Sequence, residues 1–234
     1  MKTIGLIGGM SWESTVPYYR TINETIKERL GGLHSAKIVL VSVDFHEIEQ
    51  LQRAGDWIAA GAQLADAAAA LERAGAQCVV LCTNTMHKVA PAIEGAVRIP
   101  LLHIADATAT EIRQANITSV GLLGTRFTME QYFYRDRLVR DHGIRVRVPD
   151  AAGRELVHRV IYEELCLGRV LDPSREAVRR VMAQLVEDGA EGIILGCTEL
   201  TLLVRPEDAK APLFDTTGIH ARRAAEWALE DRLA

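Results

Sequence analysis

The side chains best suited to chemistry lie in two short polar stretches, CTNTMH (Cys82 to His87) and GCTEL (Gly196 to Leu200). Each follows an aliphatic run, Val79-Val80-Leu81 in the first case and Ile193-Ile194-Leu195 in the second. Such runs read as strands buried on both faces, and the polar tip after a parallel strand is where ligands bind in open α/β sheets. The tips offer a thiol, Cys197, and the hydroxyl and amide groups of Thr83, Asn84, Thr85 and Thr198, with the carboxyl of Glu199 alongside. A thiolate with a lowered pKa acts as base or nucleophile, and backbone N–H groups at the start of the next helix could lower it. The small hydroxyl and amide residues suit capture of a carboxylate or ammonium group; singly, each is also an ordinary turn or cap residue.

Other candidates are weaker. Gly8-Gly9-Met10-Ser11 and Gly124-Thr125 each end an aliphatic run, as tight turns or as backbone donors to a small anion. Neither matches GxGxxG, and no GKS/T loop exists, which argues against dinucleotides and nucleoside triphosphates. His87 reads as a general acid or as a helix cap, and His103 and His220 read as structural. Arg53 and Arg169 are candidates to meet a side-chain carboxylate, or merely solvated charges. No HExxH or paired CxxC occurs, so no metal site is expected.

The elements that must position these groups alternate. Strand-like runs at Ile4 to Ile7, Ile38 to Val41, Val79 to Leu81, Val120 to Leu123 and Ile193 to Leu195 are separated by helical patterns. One helix is expected to open at Pro17 and stop at Gly31-Gly32. Others are expected over Trp57 to Ala74, Thr128 to His142, Pro173 to Asp188 and Ile219 to Leu233. Aliphatic strands alternating with amphipathic helices imply an α/β fold with parallel sheets. The chain also resembles itself. KTIGLIGGM matches TSVGLLGTR, VVLCTNT matches IILGCTE, and IPLLHIAD matches APLFDTTG. These matches pair Gly5 with Gly121, Thr83 with Cys197 and Pro100 with Pro212. Three matches in one order at near-constant offset indicate two related halves, with the active site in the cleft between them. The expected division is 1–105 joined by the last helix, 217–234, and 106–216.

Bulk properties narrow the class. A chain of 234 residues with 48% hydrophobic and 25% charged residues is ordinary for a globular protein. A net charge of −4 gives no basic footprint, so neither nucleic acid nor an anionic membrane is an expected partner. No apolar run approaches the ~20 residues needed to span a bilayer. MKTIGLIGGM followed by SWEST reads as a first strand and not a signal peptide. Four cysteines in a chain this long make no disulfide framework, which suits a reduced, cytoplasmic setting.

GGMSWEST (Gly8 to Thr15), TNTMH, GT (Gly124-Thr125), GCTEL and DTTGIHA (Asp215 to Ala221) together resemble the aspartate/glutamate racemase family of cofactor-independent amino-acid racemases. The resemblance spans nearly the whole chain. It implies two pseudo-symmetric Rossmann-like halves, a homodimer, no pyridoxal phosphate, a small amino-acid substrate, and one base on each side of the substrate Cα. Carried over, it makes Thr83 and Cys197 catalytic, and Met10, Ser11, Arg53, Asn84, Thr85, Thr125, Thr198 and Glu199 substrate-binding. The family's first tip usually reads CNT, so Thr83 stands at the position of one catalytic cysteine and Cys82 falls one residue early. Side chains alternate along an extended chain, which turns Cys82 away from the cleft. With Cys197 as the strong base, preference for the L-enantiomer is expected. Hydantoin racemases, maleate isomerases and arylmalonate decarboxylases share the scaffold, and a non-catalytic amino-acid-binding protein is the reading from another class.

Overall fold

The computed structural model describes the backbone of residues 1–233 and the side chains of residues 1–230. Two compact units emerge, residues 1–104 with 220 onward, and residues 105–219. The first contains β1 (Ile4–Gly8), α1 (Trp12–Leu30), β2 (Ile38–Ser42), α2 (Phe45–Ala54), α3 (Trp57–Arg73) and β3 (Cys78–Leu81). A 3-10 turn over Thr85–Val89 then runs into α4 (Ala90–Ala96) and β4 (Leu101–Leu102). From α5 (Ile104–Gln114) the chain continues through β5 (Ser119–Gly124), α6 (Arg126–Glu130), α7 (Tyr132–Asp136), a π-helical turn over Arg137–Asp141, and β6 (Arg145–Arg147). Next come α8 (Ala151–Glu163), α9 (Asp172–Glu187), β7 (Gly192–Gly196), α10 (Leu200–Leu203) and β8 (Leu213–Asp215). The helix α11 (Thr216–Leu233) begins in the second unit and continues in the first. Each unit has one four-stranded, all-parallel sheet, ordered β2-β1-β3-β4 and β6-β5-β7-β8.

The self-resemblance in the sequence has a physical basis. Pro100 and Pro212 do one job: their carbonyls accept from the amides of Val79 and Ile193, each at 2.8 Å, and so start the third-to-fourth strand pairing of their sheets. Gly5 and Gly121 also match. A Cβ on Gly5 would lie 3.1 Å from the Leu71 side chain of α3, and one on Gly121 would lie 2.9 Å from that of Leu185 of α9. In each unit the helix before the third strand packs directly on bare backbone of the first.

Strand alternation sorts the first sheet's residues between two cores. Ile7, Val79 and Leu81 face a layer formed by Ile48 of α2, Leu64 and Leu71 of α3, Met86 and Ile93. Ile4, Leu6, Cys78, Val80 and Cys82 face the opposite layer, where Tyr18, Ile22 and Ile26 of α1 meet Ala221, Ala225 and Leu229 of α11. Burying each such Leu or Ile contributes about 1.5–3 kcal/mol, so flipping β3 by one residue would be very costly. In the second unit Ile193, Leu195 and Cys197 point into one core with Val157 and Ile161 of α8 and Val178, Met182 and Leu185 of α9.

Two helix expectations need correction. Helix α1 starts at Trp12, with Pro17 inside it. Its first turn is set by Thr15, whose hydroxyl accepts from the Gly9 amide at 2.9 Å and donates to the Ser11 carbonyl at 3.1 Å. The expected helix from Thr128 to His142 is three short pieces, because Gln131 adopts an extended conformation between α6 and α7. No glycine or proline announces that break. The strand β6 was not expected either. It is a three-residue edge strand with arginines at both ends and outward, a pattern that carries no aliphatic run.

Candidate active site

In a 2-1-3-4 strand order the direction of strand addition reverses between the first and third strands, and the loops leaving their carboxyl ends part there to leave a crevice. In the first unit that places Gly8 to Ser11 beside Cys82 to Thr85. Gly9 has φ +93° and a Cβ there would sit 2.2 Å from the Val43 carbonyl oxygen, so the turn after β1 requires glycine. Ser11 is buried at the head of α1, its hydroxyl 3.3 Å from that of Ser14, and Met10 packs into the core near Met86. At the other tip the Thr83 amide donates to the Leu81 carbonyl at 2.9 Å, a tight turn that ends β3. Thr83 is partly exposed, whereas Asn84 and Thr85 are buried. The imidazole of His87 folds back to the Thr83 carbonyl at 2.8 Å.

Cys82 is fully buried between α1 and α11, on the opposite side of β3 from Val79 and Leu81. Burial pushes its thiol far above the ordinary value, which leaves it protonated and inert.

In the second unit the matching crevice lies between the ends of β5 and β7, where Gly124 and Gly196 are register partners. A Cβ on Gly196 would lie 2.8 Å from the Leu123 carbonyl oxygen, so the close approach of the two tips requires glycine. Thr125 caps α6, its hydroxyl accepting from the Thr128 amide at 3.3 Å. Cys197 is 8% exposed, and its Sγ–H donates to Oε2 of Glu199 at 2.9 Å. The Thr198 hydroxyl donates to the same oxygen, also at 2.9 Å. Thr216, at the start of α11, donates to the Leu195 carbonyl at 2.9 Å and steadies the end of β7 just before the cysteine.

The electrostatics of Cys197 differ from the sequence expectation of a lowered pKa. Burial, and then the Glu199 carboxylate, hold the thiol well above the ordinary value, while the Glu199 backbone N–H pulls the other way and is outweighed. The resting cysteine is a thiol with a proton acceptor in contact. A short step of the proton to Glu199 would make the thiolate, without release to solvent.

Arg53 sits in the last turn of α2, 79% exposed and paired with Glu49. The inward polar residue of that helix is its neighbour Gln52, which is buried and donates to the Met86 sulfur at 2.9 Å. The spacing Ile48, Gln52 was the available signal: one helical turn from a core isoleucine faces inward, and position 53 does not. Arg169 is exposed beyond the αL glycine Gly168.

Two parallel α/β units of one topology thus carry small polar residues at each strand-order reversal, and the second holds a thiol hydrogen-bonded to a carboxylate. The chain belongs to the Asp/Glu/hydantoin racemase family, whose model matches residues 7–224. It is 63% identical to an Asp/Glu racemase-family protein of known structure from Yersinia pestis, covering 98% of this chain and 100% of that one with a TM-score of 0.93. An aspartate racemase homologue from Pyrococcus horikoshii is 37% identical over 98% and 100% of the two chains, with a TM-score of 0.85. The broad specificity amino-acid racemase RacX of Bacillus subtilis is 22% identical over 94% of this chain and 95% of its own. Family membership supports amino-acid racemisation. Among the described residues, no helix is long and apolar enough to cross a membrane.

Proposed function

We propose that the protein racemises aspartate or glutamate without pyridoxal phosphate, with Cys197 taking the α-proton of the L-enantiomer and Thr83 serving the opposite face. The observation that carries this reading is the Cys197–Glu199 contact of 2.9 Å, a buried thiol already in contact with the group that can accept its proton. Proton transfer from Sγ to Glu199 leaves a thiolate. The thiolate removes the α-proton and becomes a thiol again, and the electron pair left on Cα delocalises into the substrate carboxylate. Hydrogen bonds from Asn84, Thr85 and nearby backbone amides stabilise that charge, while the Thr198 hydroxyl hydrogen stays on Glu199. A proton delivered to the other face by the Thr83 hydroxyl, or a water it holds, gives the D-amino acid. Thr83 then recovers a proton from solvent and Glu199 releases one, so the cycle balances.

A hydroxyl surrenders and takes protons far less readily than a thiol near neutral pH, so the two faces are unequal. D- and L-enantiomers have equal free energy, which forces kcat/KM for net racemisation to be equal in both directions. The inequality therefore shows in isotope exchange: in D2O, the L-enantiomer should lose its α-proton faster than it is converted, and the D-enantiomer should not. Thr83→Cys should raise α-proton loss from D-aspartate or D-glutamate and raise net racemisation. Equal exchange from D and L in the wild type, or no D-side gain in Thr83→Cys, refutes the assignment of Thr83. A homodimer in a cytoplasmic setting completes the proposal.

A further inference from the structure

We propose that His87 is a positioning residue for the Thr83 tip, a neutral imidazole that fixes the tip backbone through one defined tautomer. The inference rests on the reading of Thr83 as the second proton-transfer group. The ring is buried, and Nδ1 lies 2.8 Å from the Thr83 carbonyl oxygen. A carbonyl can only accept, so Nδ1 carries the hydrogen. Nε2 lies 3.2 Å from the Ile104 backbone nitrogen, whose N–H can only donate, so Nε2 is unprotonated. Both nitrogens are thereby committed to backbone, which removes the general-acid role the sequence left open.

A second ring continues the arrangement. His220 Nε2 donates to the Leu102 carbonyl at 2.7 Å, and Nδ1 accepts from the Tyr18 hydroxyl at 2.8 Å. The His87 ring packs edge-on against His103, centroids 4.4 Å apart, and against His220 at 5.9 Å. Ile104 is the last residue before the chain leaves the first unit, and His220 is the first after it returns. The cluster therefore fastens the Thr83 tip to both crossing points of its own unit.

This matters because Thr83 is the weaker partner. Its amide is already used in the turn to Leu81, so its carbonyl is the remaining backbone handle on the hydroxyl's position. A group that transfers protons poorly tolerates misplacement badly, and an error of about 1 Å can cost about 100-fold in rate.

The test compares two variants by α-proton exchange in D2O from each enantiomer. His87→Asn keeps an amide N–H near the place of Nδ1, able to donate to Thr83; His87→Gln reaches towards Ile104 and gives up that donor. His87→Gln should lose about tenfold or more of the D-side exchange with the L-side within about twofold, and His87→Asn should recover most of the loss. Equal impairment of the two variants, a parallel fall on both sides, or no loss in His87→Gln would overturn the proposal. Nitrogen-15 NMR of wild-type His87 gives a readout independent of activity and of variant folding. A neutral Nδ1–H ring at neutral pH is expected, and an Nε2–H or cationic ring overturns it. If the wild type exchanges neither enantiomer, the racemase reading fails, while the tautomer measurement still decides the role of His87.

Discussion

Replacing Glu199 by Gln should change the shape of the pH profile, and not only its height. On the proposed mechanism the proton moves between Cys197 and Glu199 within their hydrogen bond of 2.9 Å, so forming the thiolate exchanges nothing with solvent. Exchange at the α-carbon of the L-enantiomer should then be nearly independent of pH between about 6.5 and 8.5, a range chosen to avoid titrating the substrate's own groups. In Glu199→Gln the thiol must lose its proton to solvent. The carboxylate's upward push is gone, but burial, the larger cause, remains and still pushes the thiol up. Reaching the thiolate at neutral pH therefore costs free energy, and the cost falls by about 1.4 kcal/mol per pH unit. The variant's exchange rate should climb tenfold per pH unit across that window. The amide oxygen can still accept from Cys197 and Thr198, so a melting curve and circular dichroism should show a folded protein, destabilised by about 1–3 kcal/mol through weaker hydrogen bonds. The assay is α-proton loss from L-glutamate and L-aspartate in buffered D2O at five pH values. A flat profile in Glu199→Gln, or a wild-type profile that itself rises tenfold per unit, would refute proton sharing in the pair.

Three further outcomes are expected. Cys82→Ala should retain L-side exchange and lose about 1–2 kcal/mol of stability, seen as a fall in Tm of a few degrees, because only a buried sulfur between α1 and α11 is removed. Gly196→Ala should cost about 1–3 kcal/mol and lower exchange sharply, since its Cβ would press on the Leu123 carbonyl immediately before Cys197. Partial burial pushes the Asp106 carboxyl up, but Arg137 at 2.7 Å and His142 at 2.8 Å outweigh it and hold the group below the ordinary carboxylate range. A depressed folded pKa stabilises the fold at neutral pH and loses that contribution as pH falls from about 4 downward. Asp106→Asn should therefore lower stability at pH 7 by about 0.5–1 kcal/mol, since solvent screens the partly exposed carboxylate, and flatten the acid limb of the stability curve, measured by urea unfolding between pH 3 and 7.

Five aliphatic runs, two of them preceding the tips, were enough to locate five of the strands, because strands buried on both faces leave a clear sequence pattern. The burial of Cys82 with Leu6 and Val80, on the side of the sheet opposite Val79 and Leu81, followed from period-two alternation. The break at Gln131 was not legible, since no glycine or proline stands at or beside it. Nor was the state of Cys197: the sequence put Glu199 two residues away, but only the fold turns that carboxylate onto the thiol and buries both. For α2, a charged arginine drew attention where helical periodicity from Ile48 pointed one residue earlier, to Gln52. The tautomer of His87 needed coordinates, because its two backbone partners come from positions 83 and 104.

The central claim, that Cys197 is the base acting on the L-enantiomer, is tested most directly by proton NMR of L-aspartate and L-glutamate in D2O with wild type and Cys197→Ser. The wild type should replace the α-proton of at least one of them with deuterium. Cys197→Ser, folded by circular dichroism, should fall by at least about 1,000-fold, because a serine hydroxyl is far less acidic than a thiol at neutral pH. Exchange in Cys197→Ser at the wild-type rate would contradict it.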